Sequence, residues 1–475
     1  MISLELGDSP LPWEYGDPLL LQLIDTPEMQ RLRHISQLGL ASRIYPSAEH
    51  SRFSHALGVM HLARRILEIL MTRQPGLIGR ELAVQIKVAA LLHDVGHGPF
   101  SHVFQEIYPN APHHEYWSQQ IVLRGNGPAG LIRAFAASQG YDGEVWIREI
   151  IAFLGEAPLQ GVRGVGKQII ASQLDADRMD YLLRDAHFTG VDYGRYDLEW
   201  LLHSLRVGMV AGNPRLCVDI SKGPSALESY LTARNHMYRQ VYDHKTVRAF
   251  ESLLTLLFRT LTTYWHQQGR VPQATPQPLA DFLAAAMTGG VPSVEHYLAL
   301  DDTVILYALR SWANLPDSGD PLLRDLAWKS RLLQHRHPVY RRLKWHAFAG
   351  GEEVDDSIED VNFFQDILAF FQQEQDTLLV IEDNVSLPVK LLVLVDCLDR
   401  TPYAHLHYRV TQGGEPVYVI QRGEKVTAAE EASSTIDFLG HARQRLARVF
   451  VDPRAMTAVQ GLIREKFTSH YGQMG

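Results

Sequence analysis

The stretch from Lys87 to His102, KVAALLHDVGHGPFSH, gathers side chains that could bind a metal ion. It begins as an apolar helical segment and ends in a glycine-broken turn that carries His93 and Asp94. Imidazole and carboxylate are ligands of divalent metals, and a broken backbone after the pair lets both reach one ion. A lone His-Asp pair is common surface chemistry, but eight of the 22 histidines fall between His50 and His114. The stretch therefore predicts half of a metal site.

Arg52 and His55 begin the helix predicted upstream of this stretch, and at three residues apart they share one face. A cation beside a neutral imidazole suits an anion that is held next to a metal. The alternative is that Arg52 forms an ordinary salt bridge and His55 is a buried histidine with satisfied hydrogen bonds. The sequence leaves both interpretations open.

A second polar face lies in the helix predicted for IIASQLDADRMDYLLRDAHFTG. Asp177, Tyr181 and Asp185 follow one another at i, i+4 and i+8 and share one side of it. Asp180 and Arg184 can pair on another side. We expect Asp177 to be the fourth metal ligand, and an amphipathic helix with surface ion pairs remains the alternative.

A third face is predicted in one long helix through SALESYLTARNHMYRQVYDHKTVRAF. Four side chains lie on one side of that helix: Arg234, Tyr238, Tyr242 and Lys245. Arginine and lysine can clamp phosphates, and tyrosine can pack on a sugar or base. A helix-packing seam with basic tips at the surface is the alternative.

GEAPLQGVRGVG is predicted to be a mobile glycine-rich loop, and it lacks the lysine and hydroxyl of a P-loop.

Composition narrows the class of protein. At 475 residues the chain is expected to form two or three domains, and 46% hydrophobic with 21% charged residues is typical of soluble globular proteins. No apolar run is long enough for a membrane span, and the N-terminal MISLELGDSP lacks the features of a secretion signal. We therefore expect a cytoplasmic protein without membrane contact. The net charge of −9 argues against broad nucleic-acid binding, and two cysteines allow at most one disulfide.

Helical patterns dominate the first 345 residues, including a helix that Thr26 caps and that has Pro27 in its first turn. Strand-like composition follows at 389–395, 404–410 and 415–420, and a last helix is predicted over 436–450. We therefore predict a mainly α fold, with a helical core and helical extension over 1–345. A smaller α+β C-terminal region would cover 346–475.

His55, the His93-Asp94 pair and the distant Asp177 form an H…HD…D pattern that resembles the HD-domain metal-dependent phosphohydrolases. Four longer segments are similar to the deoxynucleoside triphosphate (dNTP) triphosphohydrolases: IDTPEMQRLRHISQLG, RFSHALGV, LLHDVGHGPFSH and LDADRMDYLLRD. The resemblance is to the branch of the mammalian enzyme that joins a SAM domain to an HD domain, with its bacterial relatives. The resemblance is strong over residues 23–250, faint from there to residue 344 and weak beyond it. It implies an HD-domain helical core.

The resemblance implies hydrolysis of dNTPs to deoxynucleosides and inorganic triphosphate with a divalent metal, Mn, Fe, Mg or Zn. The metal ligands would be His55, His93, Asp94 and Asp177. His102 would be the general acid for the departing 5′-oxygen, and His114 would lie near the α-phosphorus. The remaining contacts would be Arg52, His97, Arg178, Tyr181 and Arg234 for the triphosphate, Gln37 and Asp185 for the 3′-hydroxyl, and Leu38 and Tyr242 against a 2′-hydroxyl.

The resemblance also implies activation by a guanine nucleotide, GTP or dGTP, at sites between the subunits of a homo-oligomer, a dimer or tetramer. Asp25, Gln30 and Arg33 match one such position, and His244 and Lys245 match a second. An acid can accept from the guanine edge and an arginine can donate to its acceptors. Ion pairs on a helix surface are the alternative for these residues.

Two positions depart from the mammalian enzyme. Gln105 stands where a carboxylate orients the general acid, with Glu106 next to it, and Asp243 stands where a glutamine contacts the base.

Two other functions stay open. One is an HD-type phosphodiesterase or nucleotidase acting on another phosphorylated nucleotide, against which Arg178 and Arg234 argue because a single phosphate needs fewer cations. The other is a nucleotide-sensing module with vestigial catalysis, which Gln105 would favour.

Overall fold

The computed structural model describes residues 17–107, 111–124, 127–316, 319–335, 341–343, 361–382, 384–400, 416–422, 425–441 and 444–467. Helices dominate these residues and three small β-sheets accompany them, which confirms the predicted mainly α class with a smaller α+β region. None of the described helices is long and apolar enough to cross a membrane.

The chain divides into two compact units that alternate along the sequence. The first unit consists of Met1–Ser101, Pro112–Tyr242 and Thr401–Ala442. The second unit consists of His102–Ala111, Asp243–Arg400 and Arg443–Gly475. The predicted domain boundary at residue 345 lies outside the described residues and stays a prediction.

The regular elements are numbered in chain order. The helices are α1 (Asp17–Ile24), α2 (Pro27–Arg31), α3 (Arg52–Arg73), α4 (Arg80–Leu92), α5 (His114–Leu123), α6 (Pro128–Ser138), α7 (Gly143–Leu154), α8 (Gly161–Ile170), α9 (Ala176–Thr189), α10 (Leu198–His203), α11 (Ser225–Met237), α12 (Lys245–Gln268), α13 (Gln277–Met287), α14 (Val294–Leu298), α15 (Asp302–Ala313), α16 (Pro321–Gln334), α17 (Val361–Gln373), α18 (Val389–Leu392), α19 (Ala429–Ala432), α20 (Ser434–His441) and α21 (Met456–Leu462). The strands are β1 (Leu205–Val210), β2 (Asn213–Asp219), β3 (Arg341–Arg342), β4 (Leu378–Val380), β5 (Ser386–Pro388), β6 (Val393–Arg400), β7 (Tyr418–Ile420), β8 (Val426–Ala428) and β9 (Gln444–Val451).

The first unit contains a four-stranded sheet in the order β1-β2-β7-β8. β1 and β2 form an antiparallel hairpin that the sequence analysis did not predict. β2 then pairs in parallel with β7, with Cys217 opposite Tyr418 and Asp219 opposite Ile420, and β7 pairs antiparallel with β8. The helical part of this unit follows its local signals. Thr26, for example, accepts a hydrogen bond from N of Met29 at 3.4 Å at the start of α2, as predicted.

The predicted glycine-rich loop is wrong from Gly161 onwards, because Gly161–Ile170 is helix α8. Its glycines permit close packing. A Cβ on Gly166 would lie 2.7 Å from Cδ1 of Ile86 on α4, and one on Gly164 would lie 2.5 Å from the carbonyl oxygen of Leu159. Since interiors are close-packed, small residues here bring α8 against its neighbours.

The predicted long helix through Arg234 and Lys245 is interrupted. α11 gives way to a π-helical turn over Tyr238–Tyr242, and a new helix, α12, begins at Lys245. The side chain of His244 accepts a hydrogen bond from N of Thr246 at 3.2 Å and so caps α12. The prediction of one continuous helix from Arg234 to Lys245 is therefore wrong.

Two predictions in the C-terminal region are wrong in part. The predicted strand over 389–395 begins with a helical turn, α18, and becomes a strand only at Val393. The predicted helix over 436–450 ends at His441, and β9 follows and pairs antiparallel with β6 and β3. β-structure of this kind depends on distant partners more than on local propensity. The strand predicted at 415–420 is confirmed over Tyr418–Ile420, which is β7, and the strand predicted at 404–410 lies outside the described residues.

The second unit encloses its own core and a buried charge cluster. Its apolar cluster includes Ile367, Leu391 and Ile463, all fully buried. Lys329 on α16 is also fully buried, forms an ion pair with Asp325, and donates to the carbonyl oxygen of Leu391 at 2.9 Å. Buried charges are tolerated when they are paired and hydrogen-bonded in this way.

Candidate functional site

Three helix ends of the first unit bring His55, His93 and Asp177 together. His55 lies in the first turn of α3, His93 directly follows α4, and Asp177 lies in the first turn of α9. One ligand atom from each lies within 4.8 Å of the others. Nε2 of His55 is 3.0 Å from Oδ1 of Asp177, and Nε2 of His93 is 3.8 Å from the same oxygen.

Asp94 lies beside this group. Its Oδ2 is 3.9 Å from Nε2 of His55, and its Oδ1 is 3.3 Å from Nε2 of His93. The guanidinium of Arg52 forms an ion pair with Oδ2 of Asp94, while its Nε and Nη2 donate to Oγ of Ser101 at 3.0 and 2.7 Å. The four predicted metal ligands are therefore neighbours, and a buried cation lies at their edge.

The hydrogen bonds of the two histidines suit metal ligation. Nδ1 of His93 lies 2.9 Å from the carbonyl oxygen of Ala90 and must donate to it. Nε2 of His93 is buried and has no hydrogen-bond partner in the part of the chain that the structure describes. Nδ1 of His55 lies 2.8 Å from Oδ2 of Asp180. Each histidine is thus held through Nδ1 and offers Nε2 beside Asp177, so this donor set fits a divalent metal.

Asp180 is a site residue that the sequence analysis paired only with Arg184. The carboxylate does accept from Arg184, at 2.7 and 2.9 Å, and it also orients His55 through Nδ1. Gly58 makes room for it, because a Cβ at that position would lie 1.9 Å from Oδ1 of Asp180. Gly58, three residues after His55 on the same helix face, was the sequence feature that could have indicated a close contact there.

Burial and neighbouring charges shift the pKa values of the site residues in different directions. Burial would lower the pKa of His55, but hydrogen bonds with Asp177 and Asp180 outweigh it and raise the pKa to about 10. Burial would raise the pKa of Asp177, whereas its hydrogen bond with His55 and the nearby imidazole of His93 hold the pKa far below its usual value. Burial lowers the pKa of His97 well below its usual range. We therefore expect His97 to be neutral near pH 7.

His97 and His114 stack beside the four ligands. Their ring centroids are 4.0 Å apart with planes at 20°, and Nε2 of His97 lies 3.2 Å from Oδ1 of Asp94. Gly96 allows the turn to approach α5, since a Cβ there would lie 2.2 Å from N of Ser118. N of Gly96 also donates to Oγ of Ser118 at 3.0 Å. These contacts tie the turn after α4 to the helix that His114 begins.

Arg178 and Arg234 add buried donors. Arg178 forms an ion pair with Asp175, and Nη1 of Arg234 donates to Oε1 of Gln173 at 2.6 Å. Nε of each arginine is buried without a hydrogen-bond partner among the described residues. Burial raises the pKa of Tyr181 well above its usual value, although both arginines act to lower it. Unsatisfied, fixed N–H groups of arginine are suited to phosphate oxygens.

Asp185 is held at both carboxylate oxygens. Nε2 of His50 lies 2.8 Å from Oδ1, and the hydroxyl of Tyr242 donates to Oδ2 at 2.8 Å. Gln37 lies next to His50, because its N donates to the carbonyl oxygen of His50 at 3.0 Å. Leu38 follows and is half-buried. His50 has no role predicted from the sequence, although it lies at the edge of the histidine-rich segment.

The other predicted residues make different contacts within the first unit, belong to the second unit, or lie outside the described part of the chain. Nε of Arg33 donates to Oε1 of Gln30 at 2.7 Å, and its guanidinium carbon lies 3.8 Å from the ring centroid of Phe53. Asp25 is exposed. The side chains of His102 and Glu106 are outside the described part of the chain. The remaining four, Gln105, Asp243, His244 and Lys245, belong to the second unit.

The HD domain family matches residues 52–185, which contain all four predicted metal ligands. This segment of the chain is therefore an HD domain. A solved phosphohydrolase from Bacteroides thetaiotaomicron is similar with a TM-score of 0.66 and 25% identity, covering 92% of this chain and 96% of that one. A hypothetical protein from Aquifex aeolicus is similar with a TM-score of 0.63 and 25% identity, covering 94% of this chain and 99% of that one.

Curated relatives are also similar in sequence. The uncharacterized protein YwfO of Bacillus subtilis is 36% identical over 315 residues, 65% of each chain. The uncharacterized protein MJ1154 of Methanocaldococcus jannaschii is 38% identical over 240 residues, 50% of this chain and 46% of that protein. The deoxynucleoside triphosphate triphosphohydrolase SAMHD1 of Danio rerio is 32% identical over 277 residues, 53% of this chain and 44% of that protein.

The matched region spans between 44% and 65% of these relatives' own lengths. The chain is therefore similar to HD-domain phosphohydrolases, and among its relatives are proteins named as dNTP triphosphohydrolases.

Proposed function

We propose that the chain hydrolyses dNTPs to deoxynucleosides and inorganic triphosphate with a bound divalent metal, Mn, Fe, Mg or Zn. The observation that carries the proposal is the convergence of His55, His93 and Asp177 within 4.8 Å, with Nε2 of His93 buried and unpartnered. The similarity to SAMHD1 proteins supports the substrate class, because those relatives are named as dNTP triphosphohydrolases. We further propose that the protein acts in the cytoplasm.

His55, His93, Asp94 and Asp177 would hold the metal. When bound, a divalent cation supplies Lewis-acid stabilisation of charge on the phosphoryl oxygens. Asp180 and the carbonyl oxygen of Ala90 keep the histidine rings in place through Nδ1. The role of these two hydrogen bonds is therefore to orient the histidine ligands toward the metal.

Three arginines would bind the triphosphate. Arg178 and Arg234 each retain a buried Nε without a partner in the described region. The guanidinium of Arg52 lies at the edge of the ligand group, and Tyr181 and His97 would complete the contacts. Charge that develops on equatorial oxygens in the transition state is stabilised most by donors that are already fixed.

The bond that breaks joins the α-phosphorus to the 5′-oxygen of the sugar. Water attacks the α-phosphorus near His114, its oxygen stays with the triphosphate product, and the proton that the water loses goes to solvent. The 5′-oxygen leaves with the bonding electron pair and takes a proton from His102, the proposed general acid. A histidine can supply that proton near neutral pH. Gln105 and Glu106 follow His102 in the sequence, and Glu106 is the proposed replacement for the orienting carboxylate.

The sugar would lie against the pair of hydrogen-bonding side chains around α9. Gln37 and Asp185 would bind the 3′-hydroxyl, and Oε1 of Gln37 is buried without a partner in the described part of the chain. Leu38 and Tyr242 would occupy the space that a 2′-hydroxyl needs. Steric exclusion of this kind discriminates against the ribonucleotide.

Activation by GTP or dGTP and assembly into a dimer or tetramer are part of the proposal. Asp25, Gln30 and Arg33 would form one nucleotide position, and His244 and Lys245 would contribute to a second. The hydrogen bond between Arg33 and Gln30 holds two of these side chains together on the first unit. Sizing the protein with and without GTP tests assembly, and a monomer whose activity ignores guanine nucleotides would contradict this part.

The central test is identification of the products. Purified protein with each dNTP and Mn²⁺ or Mg²⁺ should release inorganic triphosphate and the deoxynucleoside. Asp94→Ala should abolish this release, and Asp192→Asn, an exposed carboxylate at 89% side-chain exposure, is the matched control that should not. Pyrophosphate with dNMP, or no turnover of any dNTP, would overturn the proposal. Turnover only of a cyclic nucleotide or monophosphate would favour the phosphodiesterase or nucleotidase alternative.

A further inference from the structure

His50 forms a buried contact with Asp185 that the proposed reaction does not use. Nε2 of His50 lies 2.8 Å from Oδ1 of Asp185, and the two side chains are 1% and 2% exposed. An ionised carboxylate only accepts hydrogen bonds, so Nε2 is the protonated nitrogen. The imidazole also stacks on Phe188, with ring centroids 4.5 Å apart and planes at 14°. The plane of the ring and its donor direction are therefore fixed.

Tyr242 completes the arrangement from the other side. Its hydroxyl donates to Oδ2 of Asp185 at 2.8 Å, so each carboxylate oxygen already accepts one hydrogen bond. A carboxylate has about four acceptor positions, and two remain. Gln37 adds an acceptor nearby, since its N donates to the carbonyl oxygen of His50 and its Oε1 is buried without a partner among the described residues. Acceptors are thus gathered around a carboxylate that cannot rotate.

We propose that His50 is a positioning residue that orients Asp185 for the 3′-hydroxyl of the deoxyribose, and so sets the preference for substrates that carry this hydroxyl. The inference rests on the proposed function, in which Gln37 and Asp185 bind that group. A site built to hydrogen-bond a hydroxyl rejects an analogue without it, because its buried polar groups then stay unpaired. That rejection requires acceptors held in place before the substrate binds.

The test compares a dNTP with its 2′,3′-dideoxy analogue, which lacks only the 3′-hydroxyl. The wild-type protein should show the higher kcat/KM for the dNTP. His50→Ala should lower kcat/KM for the dNTP by about 10- to 100-fold, as expected for losing a hydrogen bond to a charged group. Hydrolysis of the dideoxy analogue should stay unchanged, so the preference falls by the same factor.

Two further variants separate positioning from packing. His50→Gln can place an amide nitrogen where Nε2 lies and should restore part of the preference, whereas the shorter side chain of His50→Asn should not. His187→Gln is the matched control. His187 is exposed and contacts Phe188 edge-on at 5.2 Å, and its replacement should leave the preference as in the wild type.

The outcomes are distinguishable. A folded His50→Ala protein with the wild-type preference overturns the positioning role and leaves the proposed function intact. Equal losses for both substrates show a purely structural role and also overturn it. If His50→Ala does not fold, the glutamine and asparagine variants decide, and equal preferences in those two overturn the inference. A wild-type protein that turns over no dNTP removes the proposed function and this inference together.

Discussion

Nδ1 of His55 lies 2.8 Å from Oδ2 of Asp180, and the two side chains are 1% and 0% exposed. Asp180 is in turn held by Arg184 on the next turn of α9. A chain of contacts therefore runs from the guanidinium through the carboxylate to the imidazole. Such partners fix the tautomer of a ligating histidine and raise its basicity.

Asp180→Asn should weaken metal binding by about 10- to 100-fold, the usual effect of removing a partner of a ligating histidine. The amide keeps the shape of the side chain but removes the charge that faces His55. Titration of the protein with Mn²⁺ measures the affinity, and thermal unfolding checks the fold. An affinity equal to that of the wild type would show that Asp180 serves packing alone.

Gly58→Ala should destabilise the protein by about 1–3 kcal/mol, as overpacking does, and should reduce metal content. The added Cβ would lie 1.9 Å from Oδ1 of Asp180, which has no free direction to move because His55 and Arg184 hold it. Urea unfolding gives the stability. Gly290→Ala is the control, since nothing lies within 4 Å of its Cβ. A tolerated Gly58→Ala with full metal content would refute this argument.

Removal of the metal by a chelator should abolish release of triphosphate, and addition of Mn²⁺ should restore it. Metal at about 100 times its dissociation constant should raise the free energy of unfolding by about 2.7 kcal/mol. Differential scanning fluorimetry shows the corresponding rise in the unfolding temperature. His93→Ala should show neither effect. Full activity in metal-free protein would contradict the assignment of the site.

Lys329→Met should destabilise the protein by about 3–5 kcal/mol, because it removes one partner of a buried ion pair. Asp325 would keep Arg454, whose Nη2 donates to Oδ1 at 2.6 Å, but its Oδ2 would lose the lysine. Lys390→Met is the matched control, since Lys390 and Asp376 are 40% and 71% exposed. That control should cost under about 1 kcal/mol. Equal effects of the two variants would contradict the burial argument.

Stability should depend on pH through Glu374. A hydrogen bond from Lys466, at 2.8 Å from Oε2, and a second from Thr377 lower the pKa of Glu374 below its ordinary value of 4.5. Since the folded pKa is depressed, this stabilisation is complete above pH 4.5 and is lost as the pH falls through the folded value. Urea unfolding of wild type and Lys466→Met should differ at pH 7 and converge in acid. A constant difference would be inconsistent with this linkage.

The sequence allowed the metal ligands to be predicted, because ligand chemistry depends on residue type. His55, His93 and Asp177 could be selected because imidazole and carboxylate at helix ends are suited to a metal, and the structure brings them within 4.8 Å. The pairing of Asp180 with Arg184 could be predicted because their spacing places them on one helix face. These inferences used only local geometry and ligand chemistry.

The sequence was uninformative where a partner lies far along the chain. The contact of His50 with Asp185 and that of His55 with Asp180 join α9 to residues more than a hundred positions earlier. The glycines of α8 looked like loop residues because the side chain of Ile86, against which Gly166 packs, comes from another helix. β9 looked helical because its partner β6 comes from a separate segment, whose last residue, Arg400, pairs with Gln444. Tertiary contacts overrode local preference in each case.

The parallel pairing of β2 with β7 has a consequence for biogenesis. As the chain emerges from the ribosome, β2 appears long before Tyr418–Ile420, so its outer edge stays uncovered through most of translation. An uncovered strand edge invites pairing with other nascent chains. The sheet can therefore be completed only late in translation, and a protein shortened before β7 would keep this edge of β2 unpaired.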